Sequence, residues 1–113
     1  MVSRTLQHIK GKKNQEYYRV VIPKLMLQIT GFHRPKKIVL SFTILQDNKG
    51  KYIKLRPAKE EDIIKRVVDT STKSFRLNLP VGMITELSWE DVQELNFGSG
   101  QDDDGKYISV KRE

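Results

Sequence analysis

The sequence contains two copies of one pattern. Displaced by 57 positions, Arg19 falls on Arg76, Pro23 on Pro80 and Met26 on Met83. Apolar positions follow in the same order: Tyr18 on Phe75, Val20 on Leu77, Ile22 on Leu79, Phe32 on Trp89, Ile38 on Leu95 and Leu40 on Phe97. Near the end of each copy the displacement becomes 55. There the run from Gly50 to Arg56 (GKYIKLR) matches the run from Gly105 to Lys111 (GKYISVK), which implies a second hairpin two residues shorter than the first. A duplication constrains the fold more than any single motif, because both copies must take the same local structure. Neither holds enough apolar residues to close a core alone, so in a chain of 113 residues the two must share one interior.

Each copy reads as strand, polar loop, strand, short helix, strand, turn, strand. First strands are expected at Thr5–Ile9 and Ile63–Val68, followed by polar loops at Lys10–Glu16 and Asp69–Lys73. Second strands, Tyr18–Ile22 and Phe75–Leu79, alternate large apolar residues with Arg19, Val21, Arg76 and Asn78. Pro23 and Pro80 have no N–H for a ladder, so each strand should stop there. Proline suits the first turn of a helix, so a helix of about two turns can start at the same point. Those helices are expected at Lys24–Thr30 and Val81–Leu87, closed by Gly31 and by Ser88 in the equivalent place. Third strands at Lys37–Ile44 and Val92–Phe97 lead through polar loops, QDNKG and GSGQDDDG, to fourth strands at Lys51–Arg56 and Lys106–Arg112. Pro57–Asp62 links the copies. The expected fold is therefore mainly β with short α: two βαββ-like units, 1–57 and 58–113, in one domain.

Charge separates the copies that structure unites. The chain carries a net charge of +7. Residues 1–57 hold 13 Lys/Arg against 2 Asp/Glu, a balance of +11, whereas residues 58–113 hold 8 against 12, a balance of −4. Charge needed only for solubility has no reason to segregate, whereas an electrostatic footprint for phosphates does. Nucleic acid is favoured over a membrane surface because there is no basic amphipathic helix. No apolar run is long enough to span a bilayer, and the N-terminal MVSRTLQHIKGKK has no apolar signal core, so a cytoplasmic location is expected. The absence of cysteine excludes disulfides and thiolate metal sites. There is no spaced histidine pair for zinc, no G-x-S-x-G and no phosphate loop, so neither an enzyme nor a cofactor or metal is expected. The Asp102–Asp104 run lacks the spaced ligands of a calcium loop and is expected to be solvated. It could also repel a polyanion and orient the basic copy toward it, in which case neutralising it should tighten non-specific binding.

The run YYRVVIPKLMLQITGF resembles the signature of AbrB-like swapped-hairpin proteins, the group that includes bacterial transition-state regulators and MazE-type antitoxins. RLNLPVGMITELSWEDVQELNF is similar, with Leu-Pro for Ile-Pro, so the resemblance covers nearly the whole chain twice. The chain departs from the family pattern in having Tyr18 and Phe75 where a glycine often precedes the arginine, and HRPKK and EDVQ in place of a Gly-Asp turn. Leu27, Gln28, Ile84 and Thr85 also stand where the regulators carry helix arginines. The resemblance implies a small barrel of interleaved hairpins. Here it would form as a pseudo-dimer within one chain, or between two chains that exchange units. It also implies binding of double-stranded DNA, as a transcriptional regulator.

On that expectation Arg19 is a candidate DNA contact, because its fork suits phosphate or guanine. The loop Lys10-Gly-Lys-Lys-Asn14 is the strongest basic element, with Lys10, Lys12 and Lys13 able to track a phosphate backbone. Arg4, His8 and Lys24 are expected to extend the same face. Arg76 is the counterpart of Arg19 but lies near Asp69 rather than a lysine cluster. HRPKK at His33–Lys37 is a second basic cluster. Two alternative readings are an antitoxin-like or other protein-interaction module and RNA binding. The first expects a long segment beyond the last strand, whereas this sequence ends at Glu113. RNA binding would rely on Tyr17, Tyr18 and Phe32 for base stacking.

Overall fold

The computed structural model describes residues 2–31, 38–70 and 74–112. Phe32, the HRPKK cluster at 33–37 and the end of the expected Asp69–Lys73 loop lie outside the described residues. The strands, in chain order, are β1 (Val2–Thr5), β2 (Gln7–Lys10), β3 (Glu16–Ile22), β4 (Val39–Asp47), β5 (Gly50–Pro57), β6 (Lys65–Val67), β7 (Phe75–Pro80), β8 (Glu94–Asp102) and β9 (Gly105–Arg112). The helices are α1 (Lys24–Ile29) and α2 (Val81–Leu87), with a single 3-10 turn at Lys12–Asn14. The fold is mainly β. A curled, half-barrel sheet of six strands in the order β1-β8-β9-β5-β4-β6 packs with a three-stranded sheet β2-β3-β7.

The pairing register carries an internal two-fold relation. In the small sheet Arg19 faces Asn78, Val20 faces Leu77 and Val21 faces Arg76, so the copies cross at the Val20–Leu77 pair. In the large sheet Ile53 faces Val110 and Leu55 faces Ile108 on either side of the Lys54–Ser109 pair. The copies also exchange strands. β1 of the first copy lies on β8 of the second, and β6 of the second lies on β4 of the first.

The first strands depart from expectation, for a reason visible at one residue. The stretch expected as Thr5–Ile9 is two strands, because the chain changes sheets at Leu6. The Leu6 side chain is buried and its N–H donates to the Gln93 carbonyl at 2.8 Å. β1 therefore belongs to the large sheet and β2 to the small one, the corner used where a strand serves two packed sheets. Val68 makes the same corner in the second copy. It is buried, its N–H donates to Ile38 at 2.9 Å, and Asp69 then bridges to Arg76 as Gln7 pairs with Arg19. The expected strand at Ile63–Val68 shrinks to Lys65–Val67, with Ile63 96% exposed.

The hairpins are of equal length, which corrects the inference of a shorter second one. Leu40 pairs with Pro57 and Asp47 with Gly50; 55 positions on, Leu95 pairs with Arg112 and Asp102 with Gly105. The missing two residues therefore fall between helix and third strand. Both third strands also run further than expected, to Asp47 and Asp102, because the connection is a two-residue turn relieved by Gly50 (φ 124°) and Gly105 (φ 111°). Gly100 lies within β8 because Tyr107 crosses it. A Cβ there would meet the tyrosine oxygen at 2.3 Å.

The strand-to-helix joints form where the prolines sit. Pro23 (φ −59°) and Pro80 (φ −61°) occupy the position just before each helix, and Pro80 is also the last residue of β7. At the far end of α2, Ser88 adopts a left-handed conformation (φ 58°, ψ 44°). The N–H groups of Ser88 and Trp89 close back on the carbonyls of Thr85 and Ile84, satisfying two terminal acceptors. In α1 that closing role belongs to Gly31 (φ 103°). Both copies feed one core, in which Val20, Ile22, Leu27, Leu40, Leu55, Leu77, Leu79, Ile84, Trp89, Leu95, Phe97 and Ile108 are almost fully buried. Among the described residues none of the buried side chains is polar or charged apart from the tryptophan and tyrosine rings.

Candidate nucleic-acid interface

The alternation of β3 decides which of its side chains can meet a ligand. Tyr18, Val20 and Ile22 turn into the core, leaving Tyr17, Arg19 and Val21 on the outer face. Register adds Gln7 and Ile9 from β2, and Arg76, Asn78 and Pro80 from β7, to that face. Arg19 sits near its middle. Its Nε donates to Asn78 Oδ1 at 3.3 Å and its Nη2 donates to Tyr17 Oη at 3.0 Å, with the guanidinium 5.5 Å from the Tyr17 ring centre. Both partners are neutral. Among the described residues no carboxylate lies within ion-pair distance of Arg19, so its charge is oriented but not cancelled.

The lysine loop is closed by a main-chain bond. Gly11 N–H donates to the Gln15 carbonyl at 2.6 Å, closing the connection around the 3-10 turn, and Lys12 and Lys13 are exposed. Lys13 is left-handed (φ 61°, ψ 39°), a conformation that costs an L-residue about 1–2 kcal/mol and that turns up disproportionately at functional sites. Three residues of β3 separate Arg19 from the loop end, roughly 10 Å along the strand.

The other expected contacts scatter. His8 faces Tyr18 across the ladder and stacks on it at 4.5 Å, with Nε2 3.5 Å from Glu16, so it lies on the opposite side of the sheet from Arg19. Lys10 is exposed and shares that side at the end of β2. Arg4 belongs to the large sheet, opposite Leu95, and its Nη1 donates to the Ser3 carbonyl at 2.9 Å. Lys24 opens α1 beyond the other end of β3, whose seven residues put roughly 20 Å of strand between it and the lysine loop. Arg76 does share the outer face with Arg19, but its Nη2 is paired with Asp69 at 2.6 Å. The alternating pattern turns Arg19 outward, but Tyr17 joins it only because β3 begins at Glu16, two residues before the expected strand. The contribution of Asn78 required knowing that β3 pairs with β7, which local sequence does not encode.

Comparison with protein-family models, curated proteins and solved structures finds no match to this chain. The site must therefore be read from its own chemistry.

Elsewhere the basic copy's charge is partly consumed. Asp102 of the second copy takes ion pairs from both Lys54 and Arg56, which lie over the Tyr107 ring. The Lys54 ammonium bonded to it, helped by the Asp104 N–H and Arg56, outweighs partial desolvation and holds the Asp102 carboxyl down at about 2. Asp47 is the two-fold equivalent. The Lys49 N–H and Lys111, at 3.1 Å, lower its carboxyl below the usual range. Asp102 is thus a structural partner of two lysine-copy cations rather than a free repulsive charge, and neutralising it would also release them. A groove of about 800 Å³ between α1 and the hairpins mixes Arg56, Lys59 and Lys106 with Asp62 and Asp104 and offers no single-sign field. No group of acidic or histidine residues among the described residues is arranged to hold a metal ion. No helix among them is long and apolar enough to cross a membrane.

Proposed function

We propose that the protein binds double-stranded DNA through the outer face of the small sheet and the adjoining lysine loop, as a transcriptional regulator of the AbrB-like type. The observation that carries the reading is Arg19, a planar five-donor cation fixed by neutral partners in the middle of an exposed sheet face. Asn78 and Tyr17 take its Nε and one Nη2 hydrogen, leaving the Nη1 end to donate outward. That end suits the paired acceptors of guanine or of a phosphate. β3 is the middle strand of a three-stranded sheet whose outer strand axes stand about 10 Å apart, and strands are among the elements that enter a DNA groove. Lys12 and Lys13 would then meet the flanking backbone and release counterions. The exchange of first strands between copies supports a single-chain form of the swapped-hairpin scaffold.

The RNA reading is weakened by the same geometry. Tyr18 is buried beneath His8 and offers no face to a base, and Tyr17 is engaged by Arg19 through its hydroxyl and ring.

Fluorescence anisotropy with duplex DNA across a salt series tests the proposal. If Lys12, Lys13 and Arg19 all meet phosphates, log K should fall with log salt at a slope of about −2.7. Reversal of Lys12, Lys13 and Arg19 to Glu should abolish binding without lowering the melting temperature. Undetectable duplex binding at about 50 mM salt would reject the proposal. Tighter binding of single-stranded RNA than of duplex would replace it with the RNA reading.

A further inference from the structure

Arg19 and Arg76 occupy equivalent places under the internal two-fold relation, yet their surroundings are opposite in kind. Arg19 pairs across the ladder with Gln7 on one side and Asn78 on the other. Arg76 pairs with Val21 and, through an isolated bridge, with Asp69. Gln7 has thus become Asp69, and Asn78 has become Val21, which offers no side-chain acceptor. The two main-chain hydrogen bonds between Asp69 and Arg76, at 2.8 and 3.1 Å, fix the acid beside the guanidinium that it pairs with. The connection between these strands is also five residues shorter than in the first copy: 12 positions separate Gln7 from Arg19, and 7 separate Asp69 from Arg76.

We infer that Asp69 acts as a built-in counter-anion that silences Arg76, so that a scaffold with two equivalent contact positions engages DNA through one. A phosphate approaching Arg76 must displace or share a carboxylate already in place. A phosphate approaching Arg19 meets an oriented, uncancelled charge. The protein therefore reads one asymmetric stretch of duplex instead of the two half-sites that a symmetric dimer would require. This inference rests on the proposed DNA binding and assigns to Asp69 the choice of which half binds.

The experiment compares wild type, D69N, R76Q, R19Q, D69N/R19Q and D69N/R76Q on one duplex over a salt series, with thermal melts to confirm folding. Freeing one cation should steepen the salt slope by about 0.9 and tighten binding roughly five- to tenfold at about 0.1 M salt in D69N. R76Q alone should leave affinity within about twofold of wild type, whereas R76Q added to D69N should erase the gain. D69N/R19Q should recover part of the binding that R19Q loses. Wild-type binding with an unchanged D69N slope would overturn the inference while leaving the DNA-binding proposal standing. So would an R76Q loss as large as that of R19Q, a comparison that holds even if D69N fails to fold. Absence of wild-type binding would overturn both.

Discussion

The orientation of Arg19 can be separated from its charge. Asn78→Ala removes the acceptor from Nε, and Tyr17→Phe removes the acceptor from Nη2 while keeping the ring beneath the guanidinium. Neither substitution changes the net charge. Each releases one hydrogen bond on an exposed or half-buried face, so each should cost DNA binding about 0.5–1 kcal/mol, or roughly two- to fivefold in Kd. The pair together is bounded by the rotamer entropy of a freed arginine, about 2 kcal/mol or roughly thirtyfold. Because the charge survives, log K against log salt should shift in parallel, with the same slope as wild type. Arg19→Gln should instead flatten the slope by about 0.9. Folding stability should move by less than about 0.5 kcal/mol in the single variants. Anisotropy titrations at four salt concentrations, with urea melts alongside, read all of these quantities. A double variant that binds like wild type at every salt would show that the held posture of Arg19 contributes nothing. A flattened slope in N78A or Y17F would show that the lost contact was electrostatic.

Three further outcomes follow from the scaffold. Ser88→Gly should stabilise the fold by about 0.5–1 kcal/mol, raising the melting temperature by a few degrees, because serine at φ 58° is strained and glycine is not; a calorimetric scan in which Tm falls would contradict this. The Asp102 carboxyl titrates at about 2 in the fold against 3.8 when unperturbed, so its contribution is complete above the unfolded value and lost as pH falls through the folded one. Urea midpoints of wild type and D102N should therefore differ by a constant amount above about pH 5 and converge between about pH 4 and 2, and a gap that survives below pH 2 would refute the pairing. Leu6→Ala should cost about 2–4 kcal/mol by urea denaturation, since the side chain is buried at the corner between the sheets, and a cost below about 1 kcal/mol would mean that the corner is not a packed site.

What local sequence could and could not reveal divides by the range of the interaction. The second strands, the proline joints and both helices were readable because alternation, the missing proline N–H and the Gly31/Ser88 closures act within a few residues. The break at Leu6 was not readable. Thr5–Ile9 looks extended throughout, and only the competition between β8 and β3 for its two halves shows where it changes sheets. The hairpin lengths were misjudged because apolar residues two positions apart occupy the same face of a strand. Leu40 therefore aligns with Phe97 as plausibly as with Leu95, and the ladder decides for Leu95. At the candidate site, the basic loop and Arg19 could be nominated from composition and pattern. Their separation from Arg4, His8 and Lys24 depends on which face and which sheet each strand presents, and that is set by pairing at long range.

The pattern of divergence between the copies argues for a reason to keep them in one chain. Inward positions are matched in kind: Val20 with Leu77, Ile22 with Leu79, Ile53 with Ile108 and Leu55 with Val110. All of them line the same shared core, where a change of volume at one position is felt by its neighbours. Outward positions are free of that coupling, and several differ in kind: Gln7 against Asp69, Asn78 against Val21, Lys54 against Ser109. Two identical chains could never hold Lys54 opposite Ser109 at the two-fold axis, or leave one arginine open while closing its mate, because every substitution would appear twice. Joining the copies removes that restriction at the cost of one connecting segment, Pro57–Asp62. The fold then keeps the symmetry that its core requires, while the small-sheet face concentrates its uncancelled positive charge beside β3.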